Sequence, residues 1–330
     1  MKLSDFDFEL PAELIAQTPA NPRDHARLLV YERNSRSITD DYFYNLKNHL
    51  QPDTTLVINN SKVEQCRLQF DEAEIFVLKT INPQTVLAMV RPGRKFRVGK
   101  ELVLHAGKNK VHIRTTGIDE DGFRTIELSP GLDDPAIQSI QRTPFPPYIS
   151  PDEKLADEYQ TVYAKPLGSK AAPTAGLHFT PELLADLEKR HNIARLTLHV
   201  GLGTFAPVKT EEIADHKMHS ESIILNKQNA DVLNHSTHLT AVGTTSARAL
   251  ESIYTGEGFY PQEKDTEIFI TPGYRYNAVD SLITNFHLPK STLLMMVGAL
   301  TGTDELHRIY QHAIANQYRF YSFGDAMIIR

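Results

Sequence analysis

Residues from about Cys66 to Ile149 read differently from the chain on either side. Short apolar or alternating runs recur there, at 74–79, 85–90, 101–105, 110–115 and 123–128. Turn residues separate them: Asn82-Pro83, Pro92-Gly93 and Asp119-Glu120-Asp121-Gly122. Several short strands at this spacing predict a small barrel or sandwich. The run Pro144-Phe145-Pro146-Pro147-Tyr148 then reads as a stiff linker.

The flanking chain alternates strand and helix. Before the insertion, 26–31 and 55–58 read as strands, and 10–16 and 42–50 as short helical pieces. After it, Thr180-Pro181-Glu182 opens a helix, with Thr180 as cap and Pro181 at the first helical position. A strand at 193–200 breaks at Gly201-Leu202-Gly203, and 229–235 is helical. The strand 239–242 turns through Gly243-Thr244-Thr245-Ser246 into a helix at 247–253. Another strand ends at Thr284-Asn285-Phe286-His287, and Ser291 caps an apolar helix. This alternation predicts α/β architecture with a mostly parallel sheet.

A chain of 330 residues has room for two domains, and 41% hydrophobic residues can fill a substantial core. The lone cysteine, Cys66, permits no internal disulfide, and no cluster has metal-ligand spacing, so a cytoplasmic location and no metal are expected. Met1 to Glu9 is acidic and alternating, without a signal-peptide core, and the apolar run 293–300 is too short to span a bilayer. No membrane partner is therefore expected, and a monomer is the default. The net charge of −6 rules out a global basic field for nucleic acid, which moves attention to local patches. One such patch contains Arg91, Arg94, Lys95, Arg97, Lys100, Lys108, Lys110 and Arg114 against Glu101 alone. It suits phosphates, with Phe96 and Tyr148 as candidate base-stacking rings; a solvated charged face is the plainer reading.

In open α/β sheets, sites form at the carboxyl ends of strands. Four polar turns hold that position here, around Thr174, Gly176 and His178; His199, Gly201, Gly203 and Thr204; Gly243 to Arg248; and Asn285 to His287. Each pairs small residues, which admit a ligand close to the backbone, with a His or Arg able to do chemistry. Gly243-Thr244-Thr245-Ser246 begins a helix, where free N–H groups favour an anion; ordinary capping by Thr245 or Ser246 is the competing reading. Arg248 opposes the helix dipole in the first turn, which favours a binding role. The segment His216 to Glu221 lacks a zinc pattern, so His216, His219 and Glu221 are read as hydrogen-bonding or proton-transfer groups, or as a solvated turn. No dinucleotide fingerprint, Walker loop or nucleophile elbow is present, which argues against dehydrogenases, NTPases and α/β-hydrolases.

The same turns carry a resemblance. Asp5-Phe6-Asp7-Phe8-Glu9-Leu10-Pro11, Val57-Ile58-Asn59-Asn60 and Ala171-Ala172-Pro173-Thr174-Ala175-Gly176-Leu177-His178-Phe179 occur in order. Thr197 through Phe205, His216 through Glu221, Val242 through Ser246, Thr284 through Pro289 and Ser322 through Met327 follow. Together these runs resemble the S-adenosylmethionine:tRNA ribosyltransferase-isomerases of queuosine biosynthesis, nearly end to end. The resemblance implies a large α/β domain (1–62 and 150–330) interrupted by a small inserted β-barrel (63–149). It implies S-adenosylmethionine and tRNA as substrates, with no separate cofactor. The reaction it implies moves and isomerises the ribosyl moiety onto 7-aminomethyl-7-deazaguanine at the wobble position. Epoxyqueuosine-tRNA, adenine and methionine would result.

On this footing the expected proton carriers are His178, His199 and His287, with His219 and Glu221 beside them. Thr174, Gly176, Gly201, Gly203, Thr204, Gly243, Thr244, Thr245, Ser246 and Asn285 are expected at the substrate, and Arg248 on a carboxylate or phosphate. The sequence departs from the family after Asn60. The stretch from Ser61 to Glu74 is shortened and lacks a Gly pair, Lys170 replaces a usual Val, and Ala206 a usual Arg or Gln. These changes bear on affinity or tRNA choice more than on reaction type. A paralogue acting on another base, or a tRNA-binding module without activity, are the alternatives.

Overall fold

The computed structural model describes every residue except 202–207 and 209, and the chain divides into two compact units, Met1–Lys62 with Pro146–Arg330, and Val63–Phe145. Pro146 to Tyr148 therefore belong to the large unit.

Nine strands form the sheet of the large unit. Their order is Gln262–Thr266, Glu221–Leu225, Asn192–His199, Thr55–Asn59, Leu239–Val242, Ser281–Asn285, Ala326–Ile329, Arg27–Tyr31 and Ile38–Tyr42. The four central strands, from Asn192–His199 to Ser281–Asn285, run parallel; two antiparallel pairings extend the sheet on one side, and on the other Ala326–Ile329 joins antiparallel, Arg27–Tyr31 pairs parallel with it and Ile38–Tyr42 closes the edge antiparallel. The sheet is thus mixed rather than mostly parallel. Two added edges are polar, Gln262–Thr266 and Ile38–Tyr42, and carry no apolar alternation by which sequence would reveal them.

Alternation along the central strands feeds two cores. Leu28, Val30, Leu56, Ile58, Val242 and Ile283 pack with Phe43 and Leu46 of the 3-10 helix Phe43–Asn48 and with Leu183 and Leu187 of the helix Pro181–Glu188. Leu29, Tyr31, Val57, Leu196, Ala241 and Leu282 pack on the other face. There they meet the helices Lys227–Asn234, Thr244–Ile253, Thr292–Thr301 and Thr303–Ala315. A sheet covered on both faces must place its polar ligands at strand ends. Helix starts follow from local chemistry: Thr180 Oγ1 accepts the Leu183 N–H (3.1 Å), and Ser291 Oγ accepts that of Leu294 (3.2 Å).

The small unit is one antiparallel sheet of seven strands. Its order is Gln141–Arg142, Arg67–Gln69, Glu74–Asn82, Thr85–Arg91, Arg124–Ser129, Asn109–Ile118 and Glu101–Ala106. The sheet curls until its edges meet, where the Asp71 N–H donates to the His105 carbonyl (2.8 Å) and Asn109 Nδ2 to Ser139 Oγ (3.0 Å). Along Asn109–Ile118, Val111, Ile113 and Thr115 point inward while Lys110, His112 and Arg114 point out. The shortened stretch noted in the sequence closes as a tight turn, Phe70 N–H to Ala73 carbonyl (2.9 Å). Phe96 is fully buried, so it anchors its loop and is not a base-stacking ring. Among the described residues, no helix is long and apolar enough to cross a membrane.

Candidate active site

The strands Leu239–Val242 and Ser281–Asn285 end beside one another and open a cleft in the large unit.

The first wall is a helix start. Gly243 has φ +89° and ψ 154°, a conformation that costs a side chain dearly, and it turns the strand into Thr244–Ile253. No side chain caps this helix. Ser246 Oγ instead bonds back to the Val242 carbonyl (2.8 Å), and Thr245 Oγ1 is buried without a hydrogen-bond partner. Gly243, Thr244 and Thr245 line the cleft, so uncommitted N–H groups and a hydroxyl sit at the positive end of the helix. Of the two readings of this turn, neither capping by Thr245 nor by Ser246 is realised.

The second wall is the next strand end. Asn285 and His287 line the cleft, and His287 Nε2 shares a hydrogen bond with Thr284 Oγ1 (2.8 Å). Burial pushes the His287 pKa down to about 3, so its ring is neutral at neutral pH. Asn285 Nδ2 donates to the carbonyls of Tyr321 (2.9 Å) and Ser322 (3.4 Å), which leaves Oδ1 as its acceptor. His178 Nε2 lies 3.3 Å from that Oδ1 and is therefore the protonated nitrogen. His178 packs on Phe43 rather than in the cleft, and burial takes its pKa down to about 4.

The third wall is aromatic. Tyr148 and Tyr321 line the cleft with ring centroids 4.7 Å apart, and Tyr148 Oη shares a hydrogen bond with Ser322 Oγ (2.8 Å). The loop presenting Tyr321 and Ser322 is held from below. Asp325 accepts the N–H groups of Arg27 (3.0 Å) and Arg319 (2.8 Å), and a Cβ on Gly324 would lie 2.5 Å from the Arg319 carbonyl oxygen. Thr174 completes the lining.

Other expected site residues lie elsewhere. Arg248 and Glu221, 5% exposed each, form a buried ion pair, and Glu221 Oε1 also accepts the Gly201 N–H (3.1 Å). The carboxylate expected for Arg248 thus comes from the protein itself, and Glu221 is committed to that pair. Packing alone requires Gly176, because a Cβ there would meet the Tyr163 hydroxyl at 2.1 Å. His199 is half-buried beside Gly168, with Nδ1 unpartnered; partial burial, then the Lys170 charge, lower its pKa. Burial also lowers the Lys170 pKa to about 8. His219 is exposed, while His216 packs edge-on against Phe269 (5.3 Å). Gly203 and Thr204 lie outside the described residues.

Sequence reasoning named Tyr148 only as a stacking ring beside the basic patch, and missed Tyr321 and Ser322 as lining residues. Their signal was present in the runs Pro146-Pro147-Tyr148 and Ser322-Phe323-Gly324-Asp325, which lack the His or Arg used there to recognise a site.

The profile of the queuosine biosynthesis protein family matches residues 3–329. Among solved structures, the chain is similar to the S-adenosylmethionine tRNA ribosyltransferase of Thermotoga maritima. Identity is 34% and the TM-score 0.56, over 99% of this chain and 100% of that one. A match from one end to the other, spanning both the cleft and the inserted sheet, identifies the chain as a member of the queuosine biosynthesis protein family.

Proposed function

We propose that the chain is an S-adenosylmethionine:tRNA ribosyltransferase-isomerase. It would move the ribosyl moiety of S-adenosylmethionine onto 7-aminomethyl-7-deazaguanine at the tRNA wobble position. Epoxyqueuosine-tRNA would form, with adenine and methionine released. S-adenosylmethionine is consumed as a substrate, and no further cofactor is invoked. The observation that carries the reading is the cleft, whose uncapped helix start faces a neutral histidine and two tyrosines. The named activity of the Thermotoga maritima protein supports it.

The three walls suit the three parts of that substrate. The Thr244 and Thr245 N–H groups and Thr245 Oγ1 match a carboxylate such as the methionyl one. The faces of Tyr148 and Tyr321 match a sulfonium cation or a flat base. A positive sulfur acidifies the ribose 5′ carbon, and loss of that proton starts the rearrangement. Adenine departs with a proton, the exocyclic amine of the base captures the first sugar carbon, and ring closure expels methionine to leave the epoxide. Neutral His287 is the cleft imidazole available to take or relay a proton. His178 acts on the cleft through Asn285. A positioned proton transfer contributes roughly a hundred- to ten-thousand-fold, so His287→Ala should slow single-turnover adenine release by that order, while His219→Ala leaves it near wild type.

The decisive experiment is mass spectrometry of tRNA carrying the aminomethyl base after incubation with S-adenosylmethionine and the protein. An epoxycyclopentanediol gain on the wobble nucleoside, with free adenine, is the expected result. Adenine release with unmodified tRNA of another base identity, and none with this one, would replace the proposal with the paralogue reading that the shortened stretch before Glu74 favours.

A further inference from the structure

Charge is divided unevenly along the chain. Residues 63–145 carry 12 Lys and Arg against 11 Asp and Glu, net +1; the rest carries 23 against 30, net −7. Eight of those 12 cations fall between Arg91 and Arg114. The local structure explains how they are displayed. Phe96 is fully buried and pins the turn after Thr85–Arg91, so Arg94 and Arg97 on either side of it are exposed. The turn closes with the Lys100 N–H on the Arg97 carbonyl (3.0 Å), and Gly99 N–H donates to Thr115 (2.8 Å). That bond ties the turn to the strand whose outward residues are Lys110, His112 and Arg114. Outward residues on a strand recur at about 7 Å, comparable with the spacing of neighbouring phosphates.

Most of these cations also lack an ion-pair partner within the described residues of the protein. In the large unit Arg23, Arg27, Arg195, Arg248, Arg308 and Arg330 each face a carboxylate within 4.0 Å. Among the described residues of 91–114, Lys95 alone has such a partner, Glu72. Arg114 stands between Glu101 and Glu127 on neighbouring strands, which mutes its charge. Arg91, Arg94, Arg97 and Lys100 form the strongest part of the patch. Exposed arginines held on a rigid turn without internal partners are what a polyanion backbone requires.

We propose that the turn spanning 91–100, with the outward face of Asn109–Ile118, docks the phosphate backbone of RNA. This rests on the reading of the chain as a tRNA-modifying enzyme. The contacts are to phosphates and carry no base readout. Arg94→Gln/Arg97→Gln/Lys100→Gln should bind unfractionated tRNA more weakly in filter-retention titrations over a salt series. Each lost phosphate contact lowers the slope of log K against log salt by about 0.7–0.9, so three lower it by about 2 to 3. At about 0.1 M salt the loss is on the order of a hundredfold, fading toward 1 M. The KM for tRNA should rise while adenine release at saturating tRNA is retained.

The control Lys189→Gln/Arg190→Gln removes exposed cations from the large unit and should leave the slope unchanged. A triple variant with wild-type slope and KM would overturn the docking surface while leaving the proposed reaction intact. So would a loss confined to phosphatidylserine vesicles. Absence of tRNA binding and of adenine release in the unaltered chain would instead remove the reading on which the surface rests.

Discussion

Replacing Glu221 by glutamine tests the buried ion pair. Glu221 and Arg248 are almost wholly excluded from solvent, and Arg248 Nη2 already lacks a hydrogen-bond acceptor. The amide keeps the volume of the carboxylate and one oxygen for the Gly201 N–H, but it leaves the guanidinium charge uncompensated in a low dielectric. Removing one partner of a buried pair costs about 3–5 kcal/mol. The retained hydrogen bond places Glu221→Gln near the lower end, at about 3 kcal/mol. With an m-value near 3 kcal/mol/M, the urea midpoint should fall by about 1 M. Glu221→Leu/Arg248→Met removes both charges and should recover much of that loss, because the isolated charge rather than the missing bond dominates. Equilibrium urea unfolding followed by circular dichroism reads both. A single variant with an unshifted midpoint, or a double variant less stable than the single one, would refute the reasoning.

Three further outcomes follow from the cleft and its supports. Gly243→Ala finds ordinary space, its nearest neighbour being Ala175 Cβ at 3.6 Å, but must hold φ +89°; it should lose about 1–3 kcal/mol of stability and weaken S-adenosylmethionine binding, both read by thermal shift with and without ligand. Burial lowers His287 to about 3 and His178 to about 4 from 6.5, so the unfolded chain binds protons that the fold refuses. Neither ring affects stability above about pH 7, and stability falls as pH drops from 6.5 toward these values; His287→Asn should show a shallower loss of urea midpoint between about pH 7 and 4.5 than the parent chain. Glu251 accepts N–H groups from Asn277 (3.0 Å), Ala278 (2.9 Å) and Val279 (3.0 Å) and the Tyr274 hydroxyl (2.8 Å). Hydrogen bonds to a charged acceptor are worth about 1.5–3 kcal/mol each, so Glu251→Ala should destabilise by at least about 3 kcal/mol in the same assay.

What was legible in the sequence had a local cause. Five of the seven inserted strands were found to within a few residues because their inner positions alternate with solvent-facing ones, as Val111, Ile113 and Thr115 do with Lys110, His112 and Arg114; the short strands Arg67–Gln69 and Gln141–Arg142 were missed. The helix at Pro181 was visible because its cap and its first residue are both written into the chain. Glu221–Leu225, Gln262–Thr266 and Ala326–Ile329 were not visible as strands. Their place depends on partners far along the chain, and the edge strand Gln262–Thr266 has a polar sequence that serves solvent as well as pairing.

The candidate site divides along the same line between local and non-local causes. A histidine or arginine on a strand-end turn is a sound marker of where a cleft forms, but it does not say which way the side chain faces. That direction is settled by the covering layers. Phe43 draws His178 away from the cleft, Glu221 draws Arg248 away, and the clamp of Asp325 beneath Gly324 pushes Tyr321 and Ser322 in. The displaced groups are not idle, since His178 orients Asn285 and Glu221 holds the Gly201 N–H. The cleft therefore takes its binding atoms mainly from backbone N–H groups, an amide, hydroxyls and aromatic faces, with His287 as its imidazole. Such a set has little fixed charge, which on the proposed reading suits a substrate that carries its own.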